Sequence, residues 1–399
     1  MQTRLAIDGT DDLAHAHDAA TELAVRCGFG EIATERLGRA AVAAATGMLG
    51  HAGGGVLHLR PLQEEVTGAA APQVEILAVD RPRPRDGACD SSRGGDGRHA
   101  GARAGGRLAA LYELVTALDR YDSPAGSVIR MTLSPADRPG PVTLPAVAVG
   151  VVWAPSDGDP APGGLNIHSA RGLSTVVLGL GRGAEAARRV AALQGFGAQM
   201  QQIDRVRATL PGGGDMALAA AQIEAQAGHV RVGGAGRFCA CVIQAGTEVT
   251  GPIAVQPLLR QREALVDGGA MVRGPLAQAQ TGWPPQALLV LHDDGLSWPW
   301  ALESYPGLMA CHPAIVAAVL HRDYCRQPGH GCVLVCRRSC ECTVPASGRA
   351  ALPAAATVDG AAVAAMSADG DGGRPVAAAR RPASSGRRRR GAATGRPAA

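Results

Sequence analysis

The chain contains no lysine and almost no asparagine. All 39 of its Lys and Arg residues are arginine, and Asn166 is its single asparagine. A Walker-type phosphate loop is excluded, since that loop needs a lysine after its glycines. The abundance of Ala, Gly, Arg and Pro is typical of GC-rich coding DNA, so the preference for arginine carries little chemical information. A net charge of +4 over 399 residues is too small to indicate nucleic-acid binding, which is therefore not expected.

Aromatic residues and long apolar runs are also scarce. Aromatics make up 3% of the chain, so the core has to be built from Leu, Val and Ala, which bury less area per residue. No run reaches the roughly 18 to 20 apolar residues that span a bilayer. The N-terminus has no apolar segment typical of a secretion signal. These absences predict a cytoplasmic protein without a membrane partner, whose ten cysteines are reduced thiols.

Several catalytic and metal-binding motifs are missing as well. There is no G-x-S-x-G nucleophile elbow, and the glycines of "GLGRGAEAARRV" do not have dinucleotide-loop spacing. Five cysteines and a histidine cluster late in the chain: Cys325, Cys332, Cys336, Cys340, Cys342 and His330. They include no C-x2-C pair, the spacing that structural zinc sites favour. Both a zinc site and ordinary free thiols stay open.

The first third of the chain predicts a compact two-layer α/β unit over residues 1–135. Helical spacing of apolar residues and acidic residues that could cap a helix alternate here with short apolar runs typical of strands. The predicted elements are helix 11–28, helix 33–50, strand 55–61, strand 74–80, helix 107–121 and strand 127–134. Residues 82–105 have no apolar periodicity and are predicted to be irregular.

A second unit is predicted over residues 146–337, after a proline-rich joint. Strands dominate it, which favours packed antiparallel sheets flanked by helices. The predicted strands are 146–154, 173–180, 215–225, 229–234, 237–245, 287–294 and 331–337, with helices at 184–208 and 302–323. Residues 343–399 are low in complexity and lack an apolar stripe, so they are predicted to be a disordered tail.

Each of the two predicted units contains sequence that is similar to a known protein family. The first unit, through "DLAHAHDAATELAVRCGFGEIATERLGRAA", "GHAGGG" and "VEILAVDR", resembles the RsbT-like anti-sigma regulatory ATPases of the histidine-kinase/Hsp90-type superfamily. The second, through "STVVLGLGRGAEAA" and "WPPQALLVLHDDGLSWPWALESYPG", resembles SpoIIE-type, PPM-type serine/threonine phosphatases. The resemblance implies an α+β chain: an ATPase-like sandwich followed by an α-β-β-α phosphatase-like sandwich.

The ATPase resemblance implies a nucleotide site in the first unit. Asp80 matches the aspartate that reads adenine, and Gly101, Gly105 and Gly106 match part of the phosphate-covering loop. The positions of the Mg²⁺-binding asparagine and the nearby glutamate fall on glycine and alanine, at Gly47 and Ala43. Mg²⁺ needs oxygen ligands, so Mg-ATP binding is expected to be weak or lost. The alternative for Asp80 is a strand-end residue that closes a turn.

The phosphatase resemblance implies a two-metal site for Mn²⁺ or Mg²⁺ built from aspartates. Asp294 matches a metal-binding aspartate, and Asp293 beside it is the second candidate. The other expected carboxylate positions hold Gly163–Gly164, Leu178–Gly179 and Gly329–His330, so metal binding is expected to be weak or lost. His292 beside Asp293 is either an acid/base partner or, as the alternative, a surface histidine at a strand end.

Taken together, these features predict a bacterial partner-switching regulator. The resemblance implies that it acts on a phosphorylated antagonist protein of an anti-sigma pathway, with impaired phosphatase activity. The alternatives are a non-catalytic binding module for the same pathway and a decayed gene product. Segments 82–105, 156–171 and 343–399 share an Arg/Pro/Gly/Ala-rich composition. Compensated frame shifts in the coding DNA are one hypothesis for that composition.

Overall fold

The first two helices begin and end close to their predicted positions. In the computed structural model of the chain, α1 spans Asp12–Arg26 and α2 spans Glu31–Ala52. The Asp12 carboxylate accepts a hydrogen bond of 2.8 Å from the backbone N–H of Asp8, which fixes the entry into α1. Helix α2 ends at Gly53, whose φ of 72° is the left-handed conformation that glycine adopts without steric cost. The structure describes residues 2–62, 72–80, 110–123, 125–135, 146–154, 164–170, 173–180, 217–235, 238–244, 253–261, 266–267, 270–271, 277–326 and 331–338.

Against these helices lies a five-stranded antiparallel sheet, called here the N-terminal sheet. Its strands are β1 Thr3–Ile7, β2 Gly55–Leu62, β3 Gln73–Asp80, β4 Ala117–Ser123 and β5 Gly126–Leu133. They are ordered β1-β2-β3-β5-β4. Alternate residues such as Leu57, Ile76 and Met131 pack with α1 and α2 in one buried cluster. Strands β2, β3 and β5 confirm their predictions.

The predicted helix 107–121 is wrong in its second half. Residues 110–114 are helical, but Ala117–Ser123 form strand β4, which pairs with β5 in a hairpin. The hairpin turns between Ser123 and Gly126, which pair with each other, and Gly126 has a φ of 134°. Turn residues of this kind favour a hairpin, and pairing along all of β4 outweighs the helix propensity of its Ala and Leu residues.

Two further antiparallel sheets pack face to face. The central sheet contains β6 Val147–Ala154, β11 Phe238–Gln244, β12 Ala254–Gln261, β16 Leu288–Asp293 and β17 Gly331–Arg338, in the order β12-β11-β16-β17-β6. The outer sheet contains β7 Gly164–Ala170, β8 Leu173–Leu180, β9 Ala217–Glu224, β10 His229–Ala235 and β15 Ala277–Gly282, in the order β15-β10-β9-β8-β7. Strands β13 Val266–Asp267 and β14 Ala270–Met271 form a small separate pair. Apolar residues of the central and outer sheets share one buried cluster.

The predicted strands of the second unit are confirmed, whereas β7, β12 and β15, like β1 in the first unit, were not predicted. Strand β7 lies within the segment 156–171 of divergent composition, yet it pairs along its whole length with β8. The predicted loop 82–105, helix 184–208 and tail 343–399 lie outside the described residues.

The predicted helix 302–323 is also too long. Helix α3 spans only Pro313–Tyr324, and the stretch before it contains two short 3-10 turns, Leu302–Ser304 and Leu308–Ala310. Proline is favoured at the first position of a helix because an N–H at that position would have no hydrogen-bond partner within the helix. His312 precedes it, and its side chain accepts a hydrogen bond from the backbone N–H of Ala314. These start signals explain why the helix begins at Pro313.

Helix α3 lies between the N-terminal sheet and the central sheet. Leu77, Val79 and Val128 of the N-terminal sheet share a buried cluster with α3 and with central-sheet residues such as Val152 and Val333. A mixed α/β architecture with antiparallel sheets is therefore confirmed. The nucleotide-binding type of layering in the first unit, the phosphatase-like sandwich and the domain boundary between 135 and 146 stay predictions. None of the described helices is both long enough and apolar enough to cross a bilayer.

Gly47 offers a test of the local structure of α2. A Cβ built at Gly47 meets nothing within 4 Å, and alanine is favoured over glycine within a helix. Gly47→Ala should therefore raise the free energy of unfolding by about 0.5–1 kcal/mol. Chemical denaturation of the two proteins measures this difference. A destabilised variant would show that α2 is not a regular helix at this position.

Candidate functional site

Asp293 and Asp294 lie where β16 ends, as the sequence predicts. Asp293 is half-buried, and its Oδ1 accepts a hydrogen bond of 2.9 Å from the backbone N–H of Gly295. Asp294 is the next residue and is exposed in the turn. The Asp293 carboxylate therefore closes the turn, while the Asp294 side chain faces solvent. Of the two, Asp294 is the better placed to contact a ligand.

Strand pairing brings the other predicted carboxylate positions to the same edge. In the outer sheet, Gly164 of β7 pairs with Gly179 of β8. Gly179 pairs in turn with Leu218 of β9, and Leu218 pairs with Ala235 of β10. Only two residues separate Ala235 from Phe238, which pairs with Asp293 in the central sheet. Because paired residues lie side by side, these positions line one end of the two packed sheets.

Gly331, the first residue of β17, belongs to the same edge. A Cβ built at Gly295 would lie 2.9 Å from the Gly331 Cα, and one built at Gly331 would lie 3.3 Å from Asp293 Oδ1. The sequence pair Gly329–His330, where further aspartates were expected, directly precedes Gly331. The first residue of β17 therefore lies beside the turn that contains Asp293.

The donor atoms at this edge do not fit a two-metal centre. Mg²⁺ and Mn²⁺ prefer carboxylate and other oxygen ligands, and two bound dications need several carboxylates to compensate their charge. Gly164 and Gly179 have no side-chain donor, so Asp293 and Asp294 are the carboxylates that the described residues supply at this edge. Among the described residues, no group of three or more His, Cys, Asp or Glu side chains is arranged to hold a metal ion.

His292 was predicted to be either an acid/base partner or a surface residue, and the second alternative is wrong. The side chain is buried, with 3% of its surface exposed. Its Nδ1 lies 2.6 Å from the backbone oxygen of Asp293, and its ring centroid lies 5.2 Å from that of Trp300. These contacts fix the ring beneath the turn. They give His292 a supporting role under the turn, and the acid/base alternative stays a prediction.

Asp80 lies at the end of β3 and is buried. Its Oδ1 accepts a hydrogen bond from the backbone N–H of Ser127 in the β4–β5 hairpin. Burial raises the pKa of the Asp80 carboxyl, and the Ser127 N–H opposes that shift. The Asp80 carboxylate is therefore bonded across to strand β5, and both readings of Asp80, contact with adenine and closure of a turn, stay predictions.

The rest of the predicted nucleotide site supplies no ligand for Mg²⁺ among the described residues. Gly47 and Ala43 lie on α2 without any oxygen in their side chains. The predicted Gly101, Gly105 and Gly106 lie outside the described residues, and ATP binding stays a prediction. Positions 43 and 47 of α2 therefore cannot hold Mg²⁺ through a side-chain oxygen.

A buried ionic network was not predicted. Glu75 of β3 has 1% of its surface exposed. Its two carboxylate oxygens accept hydrogen bonds of 2.6 Å from Arg60 Nε and from Arg130 Nε. Arg130 also donates to Asp119 at 2.9 Å. The network lies on the face of the N-terminal sheet opposite α1 and α2, since Glu75 alternates with the helix-facing Val74 and Ile76.

Two histidines lie close to this network. Burial and the charge of Arg130 lower the pKa of His312, at the start of α3, to about 3. Burial, with His321 nearby, lowers the pKa of His58 well below its ordinary value. Burial alone would raise the pKa of Glu75, but Arg60 and Arg130 together lower it to about 2. Near neutral pH, both histidines are therefore neutral and Glu75 is charged.

These shifts predict a loss of stability in acid. Below their ordinary pKa of 6.5, His58 and His312 take up protons in the unfolded chain but not in the folded protein. The free energy of unfolding should stay level above pH 6.5 and fall below it by up to about 1.4 kcal/mol per pH unit for each histidine. Below pH 4.5, Glu75 adds to the loss until about pH 2. Urea unfolding at several pH values measures the slope, and an equal midpoint at about pH 7 and about pH 5 would contradict it.

The late cysteines behave as buried thiols where the structure describes them. Cys332 and Cys336 of β17 are free and fully buried, and burial raises both of their pKa values. Cys325 is half-buried after α3. Cys340, Cys342 and His330 lie outside the described residues, so the zinc alternative stays a prediction.

Comparison with solved structures finds phosphatases, at low similarity. The phosphatase domain of SpoIIE from Bacillus subtilis is 14% identical, with 51% of this chain and 97% of that chain covered and a TM-score of 0.36. The serine/threonine phosphatase PstP in complex with two manganese ions is 12% identical, with 48% and 96% covered and a TM-score of 0.32. A structure described under the bacterial stressosome, "a modular system that has been adapted to control secondary messenger signaling", is 17% identical, with 48% and 99% covered and a TM-score of 0.37.

No family model and no curated protein matches the sequence. TM-scores below 0.5 do not establish a common fold. The function of this chain therefore has to be inferred from its own residues.

Proposed function

We propose that this chain is a partner-switching regulator whose second unit is a phosphatase-like module with largely lost hydrolytic chemistry. One observation carries the proposal: among the described residues, the edge that unites Gly164, Gly179, Asp293 and Gly331 has carboxylates only at the turn after β16. The sequence resemblance to metal-dependent phosphatases is thus combined, in the described part of the chain, with a donor set too small for two metals. The substrate class that the sequence resemblance supports is a phosphoserine or phosphothreonine on an antagonist protein of an anti-sigma pathway.

The carboxylates that remain at this edge can still bind a ligand. The Asp294 carboxylate is exposed beside a turn that Asp293 and the buried His292 hold in place. Asp294 is the residue that would contact a dication, which would neutralise phosphate charge when bound. A single carboxylate with water ligands is about the minimum for holding Mg²⁺ and gives a weak site. No hydrolytic step is assigned to this edge, because the described residues offer no ligands for a second metal.

A phosphatase assay tests the proposal. A phosphoserine-containing protein incubated with the chain and Mn²⁺ should release no phosphate above the protein-free blank. Asp294→Ala and Asp293→Ala should give the same result, because little activity exists to lose. Robust Mn²⁺-dependent release that is lost in Asp294→Ala and kept in Asp293→Ala would overturn the proposed impairment and identify Asp294 as a working metal ligand.

A further inference from the structure

Helix α3 is buried on every side. All nine residues from Pro313 to His321 are buried, and a helix that is apolar all round is packed from more than one direction. On one side the backbone of the central sheet approaches it so closely that a Cβ built at Gly150 would lie 2.0 Å from the backbone nitrogen of Ala314. On the other side lie Leu77 and Val128 of the N-terminal sheet. The helix has no free face along which it could shift.

The C-terminal end of α3 is bonded to the β4–β5 hairpin. The Arg322 side chain is buried, and its Nη2 donates both to the Asp323 carboxylate at 2.7 Å and to the Ser123 hydroxyl at 2.9 Å. The Ser123 hydroxyl donates in turn to the Gly126 backbone oxygen at 3.0 Å, across the hairpin turn. Asp80 binds the same hairpin through the N–H of Ser127. The end of α3 is therefore linked to the strand-end carboxylate that was predicted to read adenine.

The same end of α3 holds the loop that follows Asp294. The backbone oxygen of Tyr324 accepts from the N–H and the hydroxyl of Ser297, at 2.8 and 2.9 Å. The Tyr324 hydroxyl accepts from the N–H of Ala301 at 2.8 Å, and the N–H of Arg326 donates to the Gly295 oxygen at 2.8 Å. Loop residues 295–301 are thus bonded at three points to α3 and the residues just after it.

We infer that α3 couples the β4–β5 hairpin of the N-terminal sheet to loop 295–301 beside Asp294. Arg322 is the positioning residue at one end of the link, and Tyr324 is the positioning residue at the other. A change that loosens the hairpin at Asp80 or Ser123 loosens the loop, and a change in the loop loosens the hairpin, because coupling between two sites is reciprocal. The predicted nucleotide site at Asp80 and the predicted metal site at Asp294 are therefore mechanically coupled through α3. This inference does not depend on phosphatase activity.

Amide hydrogen exchange of the full chain tests the coupling. Ser123→Ala removes only the hydroxyl that Arg322 contacts. It should speed exchange of loop 295–301 by roughly fivefold, the low end of typical coupling between sites. Tyr324→Phe removes only the hydroxyl that accepts from Ala301, and it should speed exchange of the hairpin around Ser123 and Gly126 by a similar factor. Ser123→Thr keeps a hydroxyl and should restore the slow exchange of the loop.

A matched control separates coupling from general loosening. Thr21→Ala also removes one hydroxyl, which donates to the Asp18 backbone oxygen on α1 at 2.9 Å, and it should leave the loop and the hairpin unchanged. If Ser123→Ala speeds exchange only in the hairpin and Tyr324→Phe only in the loop, the coupling is refuted. Faster exchange of the whole chain in either variant, the sign of global unfolding, would also count against it, because coupling through α3 predicts an effect confined to the two segments.

Discussion

Replacing Glu75 by glutamine should lower the free energy of unfolding by about 3–5 kcal/mol. The side chain keeps its size but loses its charge, so Arg60 is left buried without a counter-ion and Arg130 keeps only the half-exposed Asp119. Removing one partner of a buried ion pair is costly because the remaining charge has lost its solvation by water and gains nothing in return. Arg60 already has one amine, Nη2, without a hydrogen-bond partner among the described residues. Thermal or urea unfolding of the purified variant measures the loss.

An exposed ion pair provides the control for this prediction. Glu22 pairs with Arg26 at 3.2 Å on the surface of α1, with 70% and 57% of their side chains exposed. Glu22→Gln should change the free energy of unfolding by no more than about 0.5 kcal/mol, as surface pairs one helical turn apart contribute little. If the Glu75 and Glu22 variants lose equal stability, the network is not buried as described.

Gly150→Ala should destabilise the chain by at least about 3 kcal/mol, the upper end of the usual cost of overpacking. The added Cβ would lie 2.0 Å from the backbone nitrogen of Ala314 and 2.3 Å from its Cα. Backbone atoms cannot move aside as the tip of a flexible side chain can, so α3 would have to separate from β6. The same substitution at Gly47, which has open space around it, should be stabilising. Urea unfolding of both variants checks the pair, and a neutral Gly150→Ala would contradict the close approach of α3.

Elements with strong local signals could be predicted from the sequence. Asp12 and Gly53 are start and stop signals for helices, and α1 and α2 lie close to the ranges they indicate. Strand β16 is an apolar run that ends in carboxylates, and its register brings Asp293 to the sheet edge. In these places local propensity and tertiary packing agree, which is why the pattern sufficed.

Elements whose structure depends on distant partners were missed. Strand β4 has the composition of a helix and is held as a strand by pairing with β5. The burial and charge of Glu75 could not be predicted from the sequence, because its partners Arg60 and Arg130 are distant in the chain. One signal was available: "VEILAVD" carries apolar residues on both faces, as Ile76 and Leu77 show, and such a strand is covered on both sides. The cover on the second face is α3.

The position of the candidate site could be predicted from the sequence. Whether its residues lie close together could not, because that depends on how the strands pair. The sequence shows that Gly164, Gly179 and Gly331 stand at or beside positions where carboxylates were expected. Only the pairing of β7, β8, β16 and β17 brings them to the same edge as Asp294. Whether the predicted nucleotide-site residues lie together stays a prediction, because three of the four lie outside the described part of the chain.

Calorimetric titration of the full chain with Mn²⁺ tests the loss of the two-metal centre most directly. A single exposed carboxylate with water ligands should give binding no tighter than roughly millimolar. Asp294→Ala should remove the remaining heat, whereas Glu22→Gln, a change of charge far from the edge in sequence, should not. Two sites of micromolar affinity in the unaltered chain would contradict the proposal and show that the residues at this edge still hold a complete metal centre.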